Sequence, residues 1–118
     1  MPLLEASPDR IAAAARRVMA RCDELARVSA QSGAIERVYL SPEHARVNRL
    51  AAEWMREVGL RTWQDAAGNQ LGRIERSADR DPAAPALMIG SHLDTVKDAG
   101  RFDGIIGVLM ALEVVRLL

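Results

Sequence analysis

At 118 residues the chain has length for one domain with a respectable core. Its 16 Lys and Arg offset its 16 Asp and Glu, which argues against a nucleic-acid or anionic-membrane surface, and scarce aromatics weaken any case for base stacking. An ordinary apolar share argues for a folded chain rather than a disordered one.

Met1 to Arg10 carries Glu5 and Asp9 and no long apolar core, so it does not read as a secretory signal, and no apolar stretch reaches the roughly 20 residues that cross a bilayer; a cytoplasmic protein is expected. Ser7, Pro8 and Asp9 form an N-terminal helix signal, predicting a first helix from about Pro8 to Ala30. Ile11, Ala15, Val18, Cys22, Leu25 and Ser29 recur at four- and three-residue steps, giving one narrow inward stripe. Cys22 is the sole cysteine and lies on that stripe, which reads as a buried reduced thiol and excludes an intrachain disulfide. Ser41, Pro42 and Glu43 repeat the signal for a second helix that Gly59 ends, with Val47, Leu50, Ala51, Trp54, Met55 and Val58 inside and His44 on the surface.

Leu60 to Gln64 and Gln70 to Glu75, joined by Asp65-Ala66-Ala67-Gly68-Asn69, predict a β-hairpin. Gly72 in the return strand signals a bulge or a close backbone approach. Ser77 to Pro85 reads as a solvated connection. Ala86-Leu87-Met88-Ile89 is a short continuous apolar run, as expected of a strand buried on both faces. From Gly104 to Leu118 a helix is predicted in which eleven of fifteen residues are Ala, Val, Ile, Leu or Met, so it needs cover on several sides.

Between that strand and that helix lies the chemistry. Gly90-Ser91-His92-Leu93-Asp94-Thr95-Val96 and Gly100-Arg101-Phe102-Asp103-Gly104 supply an imidazole and carboxylates, the donor mixture that holds divalent metals. His92 and Asp94 are two apart and face the same way on an extended segment, so Asp94 can take a hydrogen bond from the ring and support it. Asp103 returns at the mouth of the helix, where a carboxylate can bridge two cations. On spacing alone a second reading stays open: His92 as a hydrogen-bonded structural residue and Asp103 as a helix N-cap. Asp98 reads as a solvated loop residue, and a turn requirement accounts for Gly68 and Asn69.

These two runs resemble the N-terminal metal motif of the metal-dependent hydantoinase/carbamoylase family, the group of allantoate amidohydrolase and N-carbamoyl-L-amino-acid hydrolase, within the zinc aminopeptidase/carboxypeptidase-like amide hydrolases. The likeness extends to Asp65-Ala66-Ala67-Gly68-Asn69-Gln70-Leu71-Gly72-Arg73 and to Ser41 through Gly59. His92 and Asp103 stand only eleven residues apart, which sets this group off from exopeptidase relatives with a longer interval.

The resemblance implies an α/β fold, the N-terminal part of a three-layer zinc-exopeptidase-like catalytic domain with helices packed on a mostly parallel or mixed sheet. It implies that His92 binds one metal, that Asp103 bridges two, and that Asp94 supports the site without being a primary ligand. Two divalent ions are expected, zinc or manganese, with cobalt or nickel tolerated by the same donors. Lys97 and Ala99 replace the proline and glycine more usual in the loop. The family's paired glutamates, remaining ligands, substrate-binding residues and dimerising lid domain are expected beyond Leu118, so residues 1–118 alone should be inactive and the longer enzyme a homodimer. The implied reaction is hydrolysis of a linear amide, carbamoyl or ureido C–N bond in a small molecule. The rival readings are an aminoacylase or dipeptidase using the same metals, and a non-catalytic module whose apolar last helix binds a partner.

Overall fold

Two serine–proline caps set the helical frame. The computed structural model describes residues 6–74, 81 and 83–118. Ser7 and Ser41 precede α1 (Pro8–Ala26) and α2 (Pro42–Glu57), and each hydroxyl accepts from the backbone N–H three residues on, Arg10 at 3.4 Å and His44 at 3.1 Å. The prolines fill positions where the helix has no use for a donor. α1 ends four residues before the expected Ala30 because Ser29 organises a competing loop. Its hydroxyl donates to Ala34 O at 2.7 Å and accepts from Gln31 N and Glu36 N, satisfying backbone groups without further helix.

The inward line of α1 is Ala14, Val18, Cys22 and Leu25. Ile11 and Ala15, expected inside, are exposed: the buried line runs Ala14, Val18, Cys22, Leu25, which puts Ala15 one position round the helix from it and Ile11 a turn before its first buried residue. Cys22 is buried as expected, and burial pushes its thiol pKa up, with Asp23 adding to the effect, which makes it inert. α2 buries Val47, Ala51 and Trp54, with Leu50, Met55 and Val58 partly covered, and Gly59 follows at φ +84°.

β1 (Arg61–Gln64) pairs antiparallel with β2 (Gln70–Arg73), in the register Arg61↔Arg73 to Gln64↔Gln70. The Asp65 carboxylate closes the turn by accepting from the N–H groups of Ala67 and Asn69 and from the Asn69 side chain, all at 2.9 Å. Gly68 supplies the positive φ of +86°. Gly72 answers to close approach rather than a bulge: an added Cβ would stand 2.9 Å from Leu60 Cδ1 and 3.0 Å from Met55 Sδ. The predicted strand end at Glu75, and Ser77 to Arg80 with Pro82 of the predicted connection, lie outside the described residues.

The α/β class is as expected, but among the described residues the sheet is this hairpin alone. Ala86–Ile89 is not the doubly buried strand its composition suggests; it joins no ladder, and Leu87 and Met88 are 87% and 89% exposed. The cause is the want of a neighbour, since a single extended run gains neither cross-strand hydrogen bonds nor a covered face.

α3 (Ile105–Leu117) buries Ile105, Leu109 and Leu112 against α1 and leaves Ile106, Met110 and Val114 exposed, the uneven cover its all-round apolarity foretold. Leu93 joins those residues, Val18, Cys22, Leu25, Val47, Trp54 and Leu60 in one core cluster. Above it an ionic network ties the three helices. Arg17 of α1 donates to both carboxylate oxygens of Glu113 on α3, from Nη2 at 2.7 Å and from Nε at 3.1 Å. Arg21 donates to Glu57 of α2 at 2.6 Å and lies over the ring of buried Trp54, 4.7 Å from its centroid. The other indole, Trp63, is half-exposed on the hairpin beneath Arg61. Among the described residues no helix is long and apolar enough to cross a membrane.

Candidate metal site

The segment 92–95 is extended, and its residues alternate as a period of two requires: Leu93 and Thr95 are buried, His92 is exposed and Asp94 half-buried. His92 and Asp94 therefore share the outward face. His92 Nδ1 lies 2.9 Å from the Asp94 backbone carbonyl. A carbonyl can only accept, so Nδ1 carries a proton in this contact, and the tautomer it selects has its lone pair on Nε2. The Asp94 carboxylate stands 3.6 Å from the same nitrogen. The ring's support thus comes through the backbone of Asp94, where the spacing suggested its side chain.

Gly104 and Gly107, one helical turn apart, form the seat on which this segment crosses α3. A Cβ added at Gly104 would sink into the His92 imidazole, and one at Gly107 would stand 2.8 Å from Ser91 Cβ and Oγ. Gly104 also has φ +73°, where a side chain is strained. The His92 ring is therefore seated on the residue next to Asp103, which lies exposed in the turn that opens α3. Asp103 is not an N-cap. That position belongs to Gly104, and no side chain caps the helix.

The donors fit part of a divalent shell: a borderline nitrogen, Nε2, on a ring seated in a cradle that a Cβ would fill, with the exposed Asp103 on the residue next to that cradle. Among the described residues no three His, Cys, Asp or Glu side chains converge to hold an ion. Two shallow clefts of about 290 and 280 Å³ open beside α2 and the hairpin, and neither is lined by His92, Asp94 or Asp103.

Two residues near this segment gave no signal of their role in the sequence. Arg37, in the link between α1 and α2, is 1% exposed. Its only sequence mark is a charge set in the run Ile35-Glu36-Arg37-Val38. His44, expected on the surface, is buried, because Leu40 at φ +61° turns its N–H onto His44 Nδ1 at 3.1 Å and Tyr39 leans on the ring. Burial holds the His44 pKa below its ordinary value, with Asp94 opposing that shift and Arg37 adding to it. Asp98 is exposed, as expected of a loop residue.

No protein-family model matches the chain. Individual proteins do. Soybean (Glycine max) allantoate deiminase 1 is 46% identical over 98 residues, covering 83% of this chain and 20% of that protein. An N-carbamoyl-L-amino acid amidohydrolase of Geobacillus stearothermophilus is 44% identical over 101 residues, covering 85% and 24%. The crystal structure of a hydantoinase/carbamoylase family amidase from Burkholderia ambifaria superposes with a TM-score of 0.77 at 39% identity, over 87% of this chain and 25% of that one. The chain thus spans about a fifth to a quarter of the length of the relatives it matches.

Proposed function

From this homology to allantoate deiminases, carbamoyl-amino-acid amidohydrolases and a hydantoinase/carbamoylase amidase, we propose that the chain is the N-terminal portion of the catalytic domain of a metal-dependent amidohydrolase. The longer enzyme hydrolyses a linear carbamoyl or ureido C–N bond in a small molecule such as allantoate or an N-carbamoyl amino acid, works in the cytoplasm and is a homodimer. The observation that carries this reading is the seating of His92, Nε2 lone pair fixed, on the glycine beside Asp103.

In this reading His92 is a ligand to one of two divalent ions, Asp103 contributes a carboxylate between them, and Asp94 supports the imidazole. Zinc or manganese suits these donors, with cobalt or nickel tolerated. Such ions, when bound, polarise a carbonyl and lower the pKa of water. His92 supplies a nitrogen whose orientation is set before metal arrives, and Asp103 brings negative charge to a place the fold leaves open to solvent. The exposed Ala86–Ile89 run and the outer face of α3 support the architecture as well, being surfaces that the rest of a three-layer domain covers.

The test is metal analysis of the full-length protein together with turnover of allantoate and of N-carbamoyl amino acids. His92→Ala and Asp103→Asn should each lower metal content and reduce turnover by more than about 100-fold. Turnover of acylated amino acids or dipeptides in preference to ureido compounds would select the aminoacylase reading instead. The 118-residue chain alone should show no turnover.

A further inference from the structure

A guanidinium buried as deeply as Arg37 needs partners, and among the described residues it pairs with no carboxylate. It is satisfied by carbonyls on two sides. Nη1 donates at 2.8 Å to Leu25 O and at 2.8 Å to Val28 O, at the C-terminal end of α1 where partial negative charge gathers. Nε donates at 3.1 Å to Leu93 O. The backbone of the same residue takes the other side of Asp94: Arg37 N donates to Thr95 Oγ1 and Thr95 N donates to Arg37 O, both at 2.8 Å. Four residues beyond Thr95 and two before Arg37, Ala99 N donates to Ile35 O at 3.0 Å. Arg37 therefore grips the two inward residues, Leu93 and Thr95, between which Asp94 points out.

Resting on the reading of His92 as a metal ligand, we propose that Arg37 is a positioning residue that fixes the direction of His92 and Asp94 from behind. Its planar fork spans the end of α1 and the loop at once, so the α1 C-terminus serves as the anchor for the ligand segment. With Leu93 O and the Thr95 amide held, the carbonyl of Asp94 is left facing His92 Nδ1, and that contact selects the Nε2 lone pair. Lysine keeps the charge but has no rigid fork to reach both sides together.

The experiment uses the 118-residue chain, with Zn²⁺ alone as the probe and the His92 ring ¹⁵N and ¹H resonances as the readout. These report the tautomer and, on titration, the metal affinity. Arg37→Met should weaken the Zn²⁺ response by about tenfold or more and mix the His92 tautomers, while far-UV circular dichroism and Trp54 emission stay native. Arg37→Lys should recover part of both. Arg37→Met with native fold, native tautomer and unchanged Zn²⁺ response overturns the proposal.

Should Arg37→Met fail to fold, Thr95→Val decides, since it removes one grip and keeps the shape. A several-fold weaker Zn²⁺ response or a mixed tautomer supports the proposal, and native values of both overturn it. If the unsubstituted chain shows no His92 response to Zn²⁺, its partial shell accounts for that, and the functional reading fails only when His92→Ala leaves the metal content of the full-length protein unchanged. The tautomer then judges Arg37 separately: mixed in Arg37→Met it supports the positioning role, unchanged it refutes it.

Discussion

At the scale of single residues, the site depends on what Gly104 lacks. Its backbone is left-handed and its missing side chain is the room in which the imidazole sits. Gly104→Ala should therefore cost about 1 to 2 kcal/mol in stability from the strained φ alone. It should also turn His92 off its seat. Urea unfolding measures the first effect, and a Zn²⁺ titration followed on the His92 ring measures the second, where a clear weakening is expected. A glycine before an apolar helix is an ordinary stop signal in a sequence. Nothing in the one-dimensional pattern says that another side chain will lie across it, so the spacing named His92 and Asp103 while the seat of the ring on Gly104 stayed hidden. Arg37 was hidden for a related cause. Arginine is a surface residue by default, and its burial here follows from three carbonyls that only the folded chain brings together.

Among the elements, the caps, stripes and hairpin turn were legible because each is a local rule: a hydroxyl before a proline, a repeat of three and four, an Asp-to-Gly turn. The inaccuracies fall where an element meets its neighbours, at the exposed start of α1 and in the unpaired Ala86–Ile89. Glu113 belongs to this scale. A lone acid in an apolar helix has to find cations, and α1 provides them. Burial drives its pKa up, but the hydrogen bonds from Arg17 and the charges of Arg17, Arg116 and Arg21 prevail and hold it below the ordinary carboxylate value. The folded form thus binds its proton less readily than the unfolded chain does. The stability this contributes is complete above the unfolded carboxylate pKa and is lost as pH falls from there through the lower folded value. Glu113→Gln should destabilise at neutral pH by about 2 to 3 kcal/mol, because it strands arginines packed around it, and should flatten the acid limb of the stability curve. Urea midpoints measured from pH 7 down to 3 check both.

For the whole molecule, the balance between buried and exposed apolar surface is the informative quantity. Ile106, Met110 and Val114 on α3 and Leu87 and Met88 before it lie open in a chain a fifth to a quarter as long as its relatives. Exposed surface of that kind takes up apolar dyes. The 118-residue chain should enhance anilinonaphthalene sulfonate fluorescence, and the pair Met110→Lys and Val114→Lys should cut that enhancement by half or more (about twofold) while leaving far-UV circular dichroism unchanged. The same pair placed in the full-length enzyme should impair folding.

The two tryptophans sit in opposite surroundings, Trp54 sealed in the core beneath Arg21 and Trp63 half open on the hairpin beneath Arg61. The chain consequently carries its own pair of optical gauges, one for helix assembly and one for the hairpin. Acrylamide will quench the outer indole first, and Trp63→Phe will leave a blue-shifted emission belonging to the interior. Denaturation followed at the two wavelengths then tells whether the hairpin lets go before the helices do, or whether all of them part in one cooperative step.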